Sequence, residues 1–544
     1  AAIAFAKASK RRRMMACTTS IGPGATNMVT AAAVAHVNRL PVLLLPGDVF
    51  ANRRPDPVLQ QIEDFGDGTI TANDCFRPVS RYFDRITRPE QLLAALPRAM
   101  QVLTDPADCG PVTLALCQDV QAEAHDFPMR FFEPKLWAAR RPRPDTSELR
   151  AALALLRNAK RPMIVAGGGV HYAEATAALA EFAARHRIPV AETQAGKSAL
   201  TNDHPMNAGA IGVTGTEAAN TLAAAADVVL AIGTRLQDFT TGSRALFQSP
   251  DARLIGLNLQ AFDAGKHGGL PLVADALAGL QELSAGLDDW TTPADWIAKV
   301  AEARAAWAPK AAAVLAASNS DLPSDAQVIG AVERASNADT IVVGAAGGLP
   351  GELHKLWPAK AAATYHMEYG YSCMGYEIAG GLGVKMARPD AEVVVMVGDG
   401  SYLMMNSEIA TSVAMGVKLT IVLLDNRGFG CINRLQQATG GAPFNNLLVD
   451  TVHETLPAID FVQHAASLGA TASKAASLAE LEVKIRQARA NATTTVIVID
   501  TDPAISTSAG GHWWDVAVPQ VSERPSVRTA QSAYEAAKSK QQLG

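Results

Sequence analysis

Short unbroken runs of apolar residues, each closing on glycine, an acid or an amide, alternate along the chain with longer segments whose apolar positions return every three or four residues. Runs of the first kind predict strands buried on both faces of a parallel sheet, and the longer segments predict the helices that cover it. Residues 391–397 and 417–424 are the clearest pair of strands, and between them 402–415 keeps helical spacing. In the first part of the chain 41–45 and 111–116 read as buried strands. A second set follows, with a helix at 148–158 and strands at 162–166, 227–232 and 253–259. A third set opens with a strand at 341 that runs into Gly347-Gly348. The pattern predicts an α/β protein of three doubly wound parallel-sheet domains, at 1–125, 145–275 and 322–503, followed by a tail at 504–544. The Arg/Pro-rich stretch 140–145 reads as a linker. The Ala-rich stretch 276–316 reads as connecting helices packed through Trp290, Trp296 and Trp307.

Composition narrows the class. The chain has 544 residues, a net charge of −5 and 48% apolar residues. Charges of both signs are spread throughout, so no basic stripe for nucleic acid is expected. No apolar stretch reaches membrane-spanning length, which argues against a membrane protein. The six cysteines have no metal-ligand spacing and sit mostly in apolar surroundings, so a reduced, cytoplasmic protein is expected.

Chemistry gathers where two of the strands end. Gly398-Asp399-Gly400-Ser401 follows one and Asp425-Asn426-Arg427-Gly428 follows the next, so Asp399 and Asn426 point into the crevice where open sheets bind ligands. A carboxylate, an amide oxygen and the carbonyl of Gly428 are hard donors of the kind that suit magnesium, which keeps phosphate oxygens in its remaining positions. Glycine on either side of Asp399 lets the backbone approach phosphates closely. Alone, Gly-Asp-Gly is also an ordinary turn; its strand, helix, strand and Asn setting is what distinguishes it.

That arrangement resembles the thiamine diphosphate enzymes, the acetolactate synthase-like family. The resemblance includes Tyr371-Ser-Cys-Met-Gly-Tyr-Glu-Ile-Ala-Gly-Gly-Leu-Gly383 and Thr18-Thr-Ser-Ile-Gly-Pro-Gly-Ala-Thr-Asn27. It implies thiamine diphosphate with Mg2+, the metal on Asp399, Asn426 and Gly428. Met374 would prop the cofactor in its bent form. Gly347, Gly348, Gly398, Gly400 and Ser401 would contact its diphosphate end, and Pro23 and Asn27 its pyrimidine. It further implies a homodimer or homotetramer with sites shared between subunits. The glutamate that activates the cofactor in this family is expected just before Ala1. FAD or a nucleotide is not expected in the central domain, because Gly167-Gly168-Gly169 lacks the GxGxxG spacing and reads as a strand-to-helix turn.

Further segments resemble one branch, whose members hydrolyse a ring bond of a trihydroxylated cyclohexane-1,2-dione in inositol catabolism. They include 47–61, Asn73-Asp74-Cys75, Glu192-Thr-Gln-Ala-Gly-Lys-Ser198, 365–375, 428–433 and Trp513-Trp514. The substrate class implied is a small polyhydroxylated cyclic diketone. His366, Glu368 and Asn433 are the candidates for donating a proton and positioning water, and each could equally be a structural hydrogen-bonding residue. Tyr369 and Tyr371 read as walls. Two alternatives stay open: a carboligase or 2-oxo acid decarboxylase of the same family, and a catalytically silent subunit that binds the cofactor.

Overall fold

The computed structural model describes residues 1–317 and 322–542, in two compact units. One comprises Ala1–Arg140 with Met386–Pro389, the other Arg141–Lys385 with Asp390–Gly544.

The first unit holds four parallel strands in the order Ala16–Thr19, Leu43–Asp48, Val112–Cys117, Tyr82–Ile86. The strand expected at 41–45 therefore runs further, to Asp48, whose side chain is fully buried. Its charge is met by Arg85, whose Nε lies 2.8 Å from Asp48 Oδ2 while Nη2 lies 2.8 Å from Asp74 Oδ2. Asn73 Nδ2 donates to the Gly47 carbonyl at 2.8 Å. Buried charge is tolerated here because it is paired and hydrogen-bonded. The same contacts tie two of the sequence-distinctive segments together.

The second unit contains two six-stranded parallel sheets. In the central sheet the order is Leu270–Val273, Arg253–Asn258, Val228–Ile232, Pro162–Ala166, Val190–Glu192, Asn207–Ala210. In the C-terminal sheet it is Tyr365–Met367, Ile341–Gly344, Val393–Gly398, Thr420–Asp425, Thr495–Asp500, Thr471–Lys474. The apolar runs are fully buried, as the patterning requires, and helices cover both faces. One expected helix differs. Residues 402–415 lie in two helices, Asp399–Met404 and Glu408–Ala414, and Met405 between them leaves helical geometry at φ −147°.

The glycine run 167–169 leaves the strand Pro162–Ala166 and enters the helix Gly168–Tyr172. A Cβ on Gly167 would stand 2.4 Å from the Gly233 carbonyl oxygen, and one on Gly169 2.5 Å from Gly233 Cα. These glycines let two backbone segments of neighbouring strands touch, which accounts for them without a ligand.

The two sheets meet at a polar joint. His354, on the helix Leu349–Leu356, donates from Nε2 to the Glu192 carbonyl at 2.9 Å and accepts at Nδ1 from the Thr214 hydroxyl at 2.9 Å. Tyr365 Oη donates to Gln194 Oε1 at 2.8 Å, and Gln194 Nε2 donates to the Pro350 carbonyl at 3.0 Å. Glu192 and Lys197 are buried beside them; burial raises the pKa of the first and lowers that of the second.

Burial, aided by the Lys197 charge, pushes His354 from its ordinary 6.5 down to about 3. The folded value lies below the unfolded one, so on acidification the unfolded chain takes up this proton first. Stability that is present above pH 6.5 is then lost as the pH falls towards 3, at up to about 1.4 kcal/mol per pH unit from this group. His354→Gln keeps a donor for the Glu192 carbonyl and removes the titration. Its denaturation midpoint should fall less steeply than the wild type's between roughly pH 6.5 and 4; equal slopes would assign the acid sensitivity to other groups.

Candidate functional site

Chain order and spatial order part company in the C-terminal sheet at the strand Ile341–Gly344. From there the chain steps outward to Tyr365–Met367, then returns to the other side at Val393–Gly398. The helices leave such a switch point in opposite directions and open a crevice at the carboxyl ends of the two inner strands. Gly347-Gly348 follows one of those ends and Gly398-Asp399-Gly400 the other. The neighbouring strand Thr420–Asp425 adds Asn426 and Gly428.

Three oxygens converge there. Asp399 is buried and its Oδ2 accepts from the Gly428 N–H at 2.8 Å. The amide oxygen of Asn426 stands 3.2 Å from Asp399 Oδ1 and 2.8 Å from the Gly428 carbonyl oxygen. Exchanging the amide's oxygen and nitrogen would turn both contacts into hydrogen bonds, and in a site without a cation that exchange is favoured. A divalent cation favours the other orientation, because one carboxylate, one amide and one carbonyl then all present lone pairs to it. The donor set therefore fits a hard divalent ion. Among the described residues no group of three or more His, Cys, Asp or Glu side chains is placed to hold a metal. The set around Asp399 contains only one such side chain.

The electrostatics agree with the donor set. Burial, with the Asp425 charge adding to it, pushes the Asp399 carboxyl up to about 7. Two acids at adjacent strand ends make the crevice a place where negative charge is unfavourable until a cation arrives.

The glycines divide by the room above them. A Cβ on Gly347, at φ +89°, or on Gly398 would meet nothing within 4 Å. On Gly400 it would strike the Phe429 ring at 2.6 Å, and on Gly348 it would lie 2.5 Å from Arg434 Nη2. Open space thus lies over Gly347 and Gly398, while Gly348 and Gly400 are crowded by side chains.

Two buried carboxylates hold the loops around this space. Glu377 opens the helix Tyr376–Ala387; its Oε2 accepts from the Ser401 hydroxyl at 2.7 Å and its Oε1 from the Ala346 N–H at 3.3 Å. Ser401 Oγ in turn accepts from the Gly375 N–H at 2.8 Å. One acid therefore joins the glycine loop, the Met374-Gly375 turn and the Gly-Asp-Gly-Ser loop, and burial raises its pKa. The side chain of Ser401 is engaged in this network, leaving its backbone N–H in the first turn of Asp399–Met404. Sequence reasoning gave Glu377 no role. Its signal was a carboxylate at the head of an apolar, glycine-rich helix, where burial demands a partner.

Glu368 does the same for the turn that carries Met374. Its Oε1 accepts from the Tyr371 N–H at 2.9 Å and its Oε2 from the Cys373 N–H at 2.8 Å. Met374 is half-buried on that turn. His366 Nε2 lies 2.8 Å from the Tyr376 hydroxyl, with the two rings parallel at 6.1 Å. Asn433 is buried on the helix Gly430–Ala438 and its amide oxygen has no hydrogen-bond partner among the described residues. Tyr369 packs on Phe239 at 5.0 Å, and Phe239 on Trp514 at 5.5 Å, so the C-terminal tail reaches the outer side of this wall. Tyr371 is half exposed, at 48%. Pro23 and Asn27 lie in the first unit, exposed on the short helix Pro23–Asn27. It follows Gly22, whose φ of +65° and contact with the Gln60 carbonyl exclude a side chain.

Models of the thiamine pyrophosphate enzymes match the chain in three places. The N-terminal TPP binding domain matches residues 1–67, the central domain 149–283 and the C-terminal TPP binding domain 345–499. A 3D-(3,5/4)-trihydroxycyclohexane-1,2-dione hydrolase of Geobacillus thermodenitrificans is 46% identical across 97% of this chain and 87% of its own length. Enzymes of the same name from Bacillus cereus and Bacillus thuringiensis are each 44% identical over 98% of this chain and 87% of their own.

Glu368→Gln separates the two roles open to that acid. The amide keeps one acceptor and turns its NH2 against the other backbone N–H, a mismatch worth about 1–3 kcal/mol when buried. If Glu368 acts as a clamp on the turn, the variant binds thiamine diphosphate more weakly while both limbs of its turnover pH profile stay in place. Wild-type cofactor affinity with one limb missing would instead make it a proton donor.

Proposed function

The chain belongs to the thiamine pyrophosphate enzymes, and we propose that it cleaves 3D-(3,5/4)-trihydroxycyclohexane-1,2-dione by hydrolysis, giving 5-deoxyglucuronate. The observation that carries this reading is identity of 44–46% over almost the whole chain to enzymes named for that substrate. Two of the segments that set the chain apart in sequence, 365–375 and 428–433, adjoin the loops of this oxygen cradle.

The net reaction breaks the bond between the two adjacent carbonyl carbons. Water supplies hydroxide to one, which becomes the carboxylic acid, and the other takes a proton and becomes the aldehyde. Thiamine diphosphate, when bound, supplies the electron sink that lets this bond break. Asp399, Asn426 and the Gly428 carbonyl would hold Mg2+. Gly347, Gly348, Gly398, Gly400 and the Ser401 backbone would receive the diphosphate, and Met374 would support the bent cofactor. Pro23 and Asn27 would meet its pyrimidine, with assembly as a homodimer or homotetramer completing the site.

The protein's remaining tasks are to orient a ring rich in hydroxyls and to deliver one proton and one water. Asn433 suits the first, since its buried amide oxygen lacks a donor that a substrate hydroxyl would provide. His366, paired with Tyr376, and Glu368 are placed on the strand and turn nearest Met374 and are proposed for the proton and the water. A cytoplasmic location is proposed from the cysteine pattern of the sequence; among the described residues no helix is long and apolar enough to cross a membrane.

Incubating the full-length protein with the dione should give a product heavier by one water only when thiamine diphosphate and Mg2+ are both present. Asp399→Asn should lower metal affinity by more than the roughly 10–100-fold that loss of an outer hydrogen-bond partner causes. Carbon dioxide release from a 2-oxo acid, with the dione untouched, would replace this reading with a decarboxylase.

A further inference from the structure

Arg434 stands where the helix Gly430–Ala438 meets the glycine loop. Its Nη1 donates to the Pro503 carbonyl at 2.5 Å. Its Nη2 lies 2.5 Å from the position a Cβ would take on Gly348, with Cys431 Cβ 3.7 Å from the same point. Among the described residues no carboxylate oxygen comes within 4.0 Å of this guanidinium. Asp325, buried at the start of the helix Asp325–Ala335, feels its charge from further away. A half-buried arginine is thus held at one amino group by a carbonyl, and the other amino group faces the turn beside the open space over Gly347.

Charge accounting gives that cation a use. A diphosphate ester carries about two to three negative charges at neutral pH. A divalent ion offsets two, but its ligand Asp399 adds one back, so roughly one to two negative charges remain. Arg427, in the loop that carries Asn426 and Gly428, is 58% exposed and turned to Asp500, 4.0 Å away. A planar guanidinium with one amino group uncommitted is well suited to a phosphate oxygen.

We propose that Arg434 is an anion-binding residue that engages the terminal phosphate of the cofactor, against the Gly347-Gly348 turn. This rests on the cofactor reading above and adds to it a side-chain cation that the glycine and metal motifs do not contain. It also gives a reason for glycine at 348, since any side chain there would displace the guanidinium from the turn.

The test compares wild type, Arg434→Gln and Arg434→Lys in calorimetric titrations with thiamine diphosphate and with thiamine monophosphate, Mg2+ present throughout. Apo-protein melting temperatures are recorded alongside. The expected result is a loss of roughly tenfold or more in diphosphate affinity for Arg434→Gln. Monophosphate affinity should move much less, and Arg434→Lys should recover part of the loss. Unchanged diphosphate affinity with a raised KM for the dione would overturn the proposal and give the arginine to the substrate. Equal loss for both thiamine esters, with a lower apo melting temperature, would overturn it in favour of a purely structural contact. Failure of the wild type itself to bind thiamine diphosphate would sink the cofactor reading first, before any variant is compared.

Discussion

Everything at this site depends on a carboxylate, a side-chain amide and a backbone carbonyl that meet at hydrogen-bond distance. Asp399 Oδ1, the Asn426 amide oxygen and the Gly428 carbonyl crowd to within about hydrogen-bond distance, and Asp425 stands at the next strand end. With the amide nitrogen turned inward the three groups hydrogen-bond to one another, and with its oxygen turned inward they offer lone pairs to a divalent cation. The arrangement exists because two adjacent parallel strands, Val393–Gly398 and Thr420–Asp425, end at one level, beside the point where the sheet reverses its winding. The sheet fixes the strand ends, and their loops have only to supply donors.

Placing those donors to the accuracy chemistry needs requires the loops to be rigid, and here buried acids do much of that work. Glu377 binds the glycine loop directly and reaches the Gly375 turn through Ser401. Glu368 fixes the turn that carries Met374 from both carboxylate oxygens. Each acid loses solvation on burial and regains it from backbone N–H groups and a hydroxyl, which costs little as long as every acceptor is used. The site is thereby built in two layers. Glycines create open room, and carboxylates behind them stop the loops from closing it.

Much of this was legible before any coordinates. Apolar runs announced the parallel strands, and the residues just after them announced which donors would meet at the strand ends, because both signals are local. A residue's neighbours in sequence determine whether it can be a buried strand, and a motif at a strand end has few places to point. The shortfalls have a shared cause as well. The helix expected over 402–415 breaks at Met405, and helical periodicity alone carries no sign of where a chain must bend. Glu377 and Arg434 act through contacts with segments far away in sequence, Ala346 and Ser401 for one, Gly348 and Pro503 for the other. Such roles emerge only when the sheet has brought those segments together. A charged residue in an apolar or glycine-rich stretch was the one available hint that a distant partner existed.

The central sheet shows why glycine content alone misleads. Its run at 167–169 resembles a phosphate loop in composition, yet a Cβ on Gly167 or Gly169 would strike the backbone of Gly233. The glycines at 347 and 398 look less like a nucleotide motif and have empty space above them instead. What distinguishes a cradle from a packing contact is therefore the occupant of the missing Cβ. That occupant is set by strand order: Val228–Ile232 lies directly beside Pro162–Ala166, so the turns after the two strands collide and both must be glycine. In the C-terminal sheet the chain diverges after Ile341–Gly344 and Val393–Gly398, and the same residue type leaves a site.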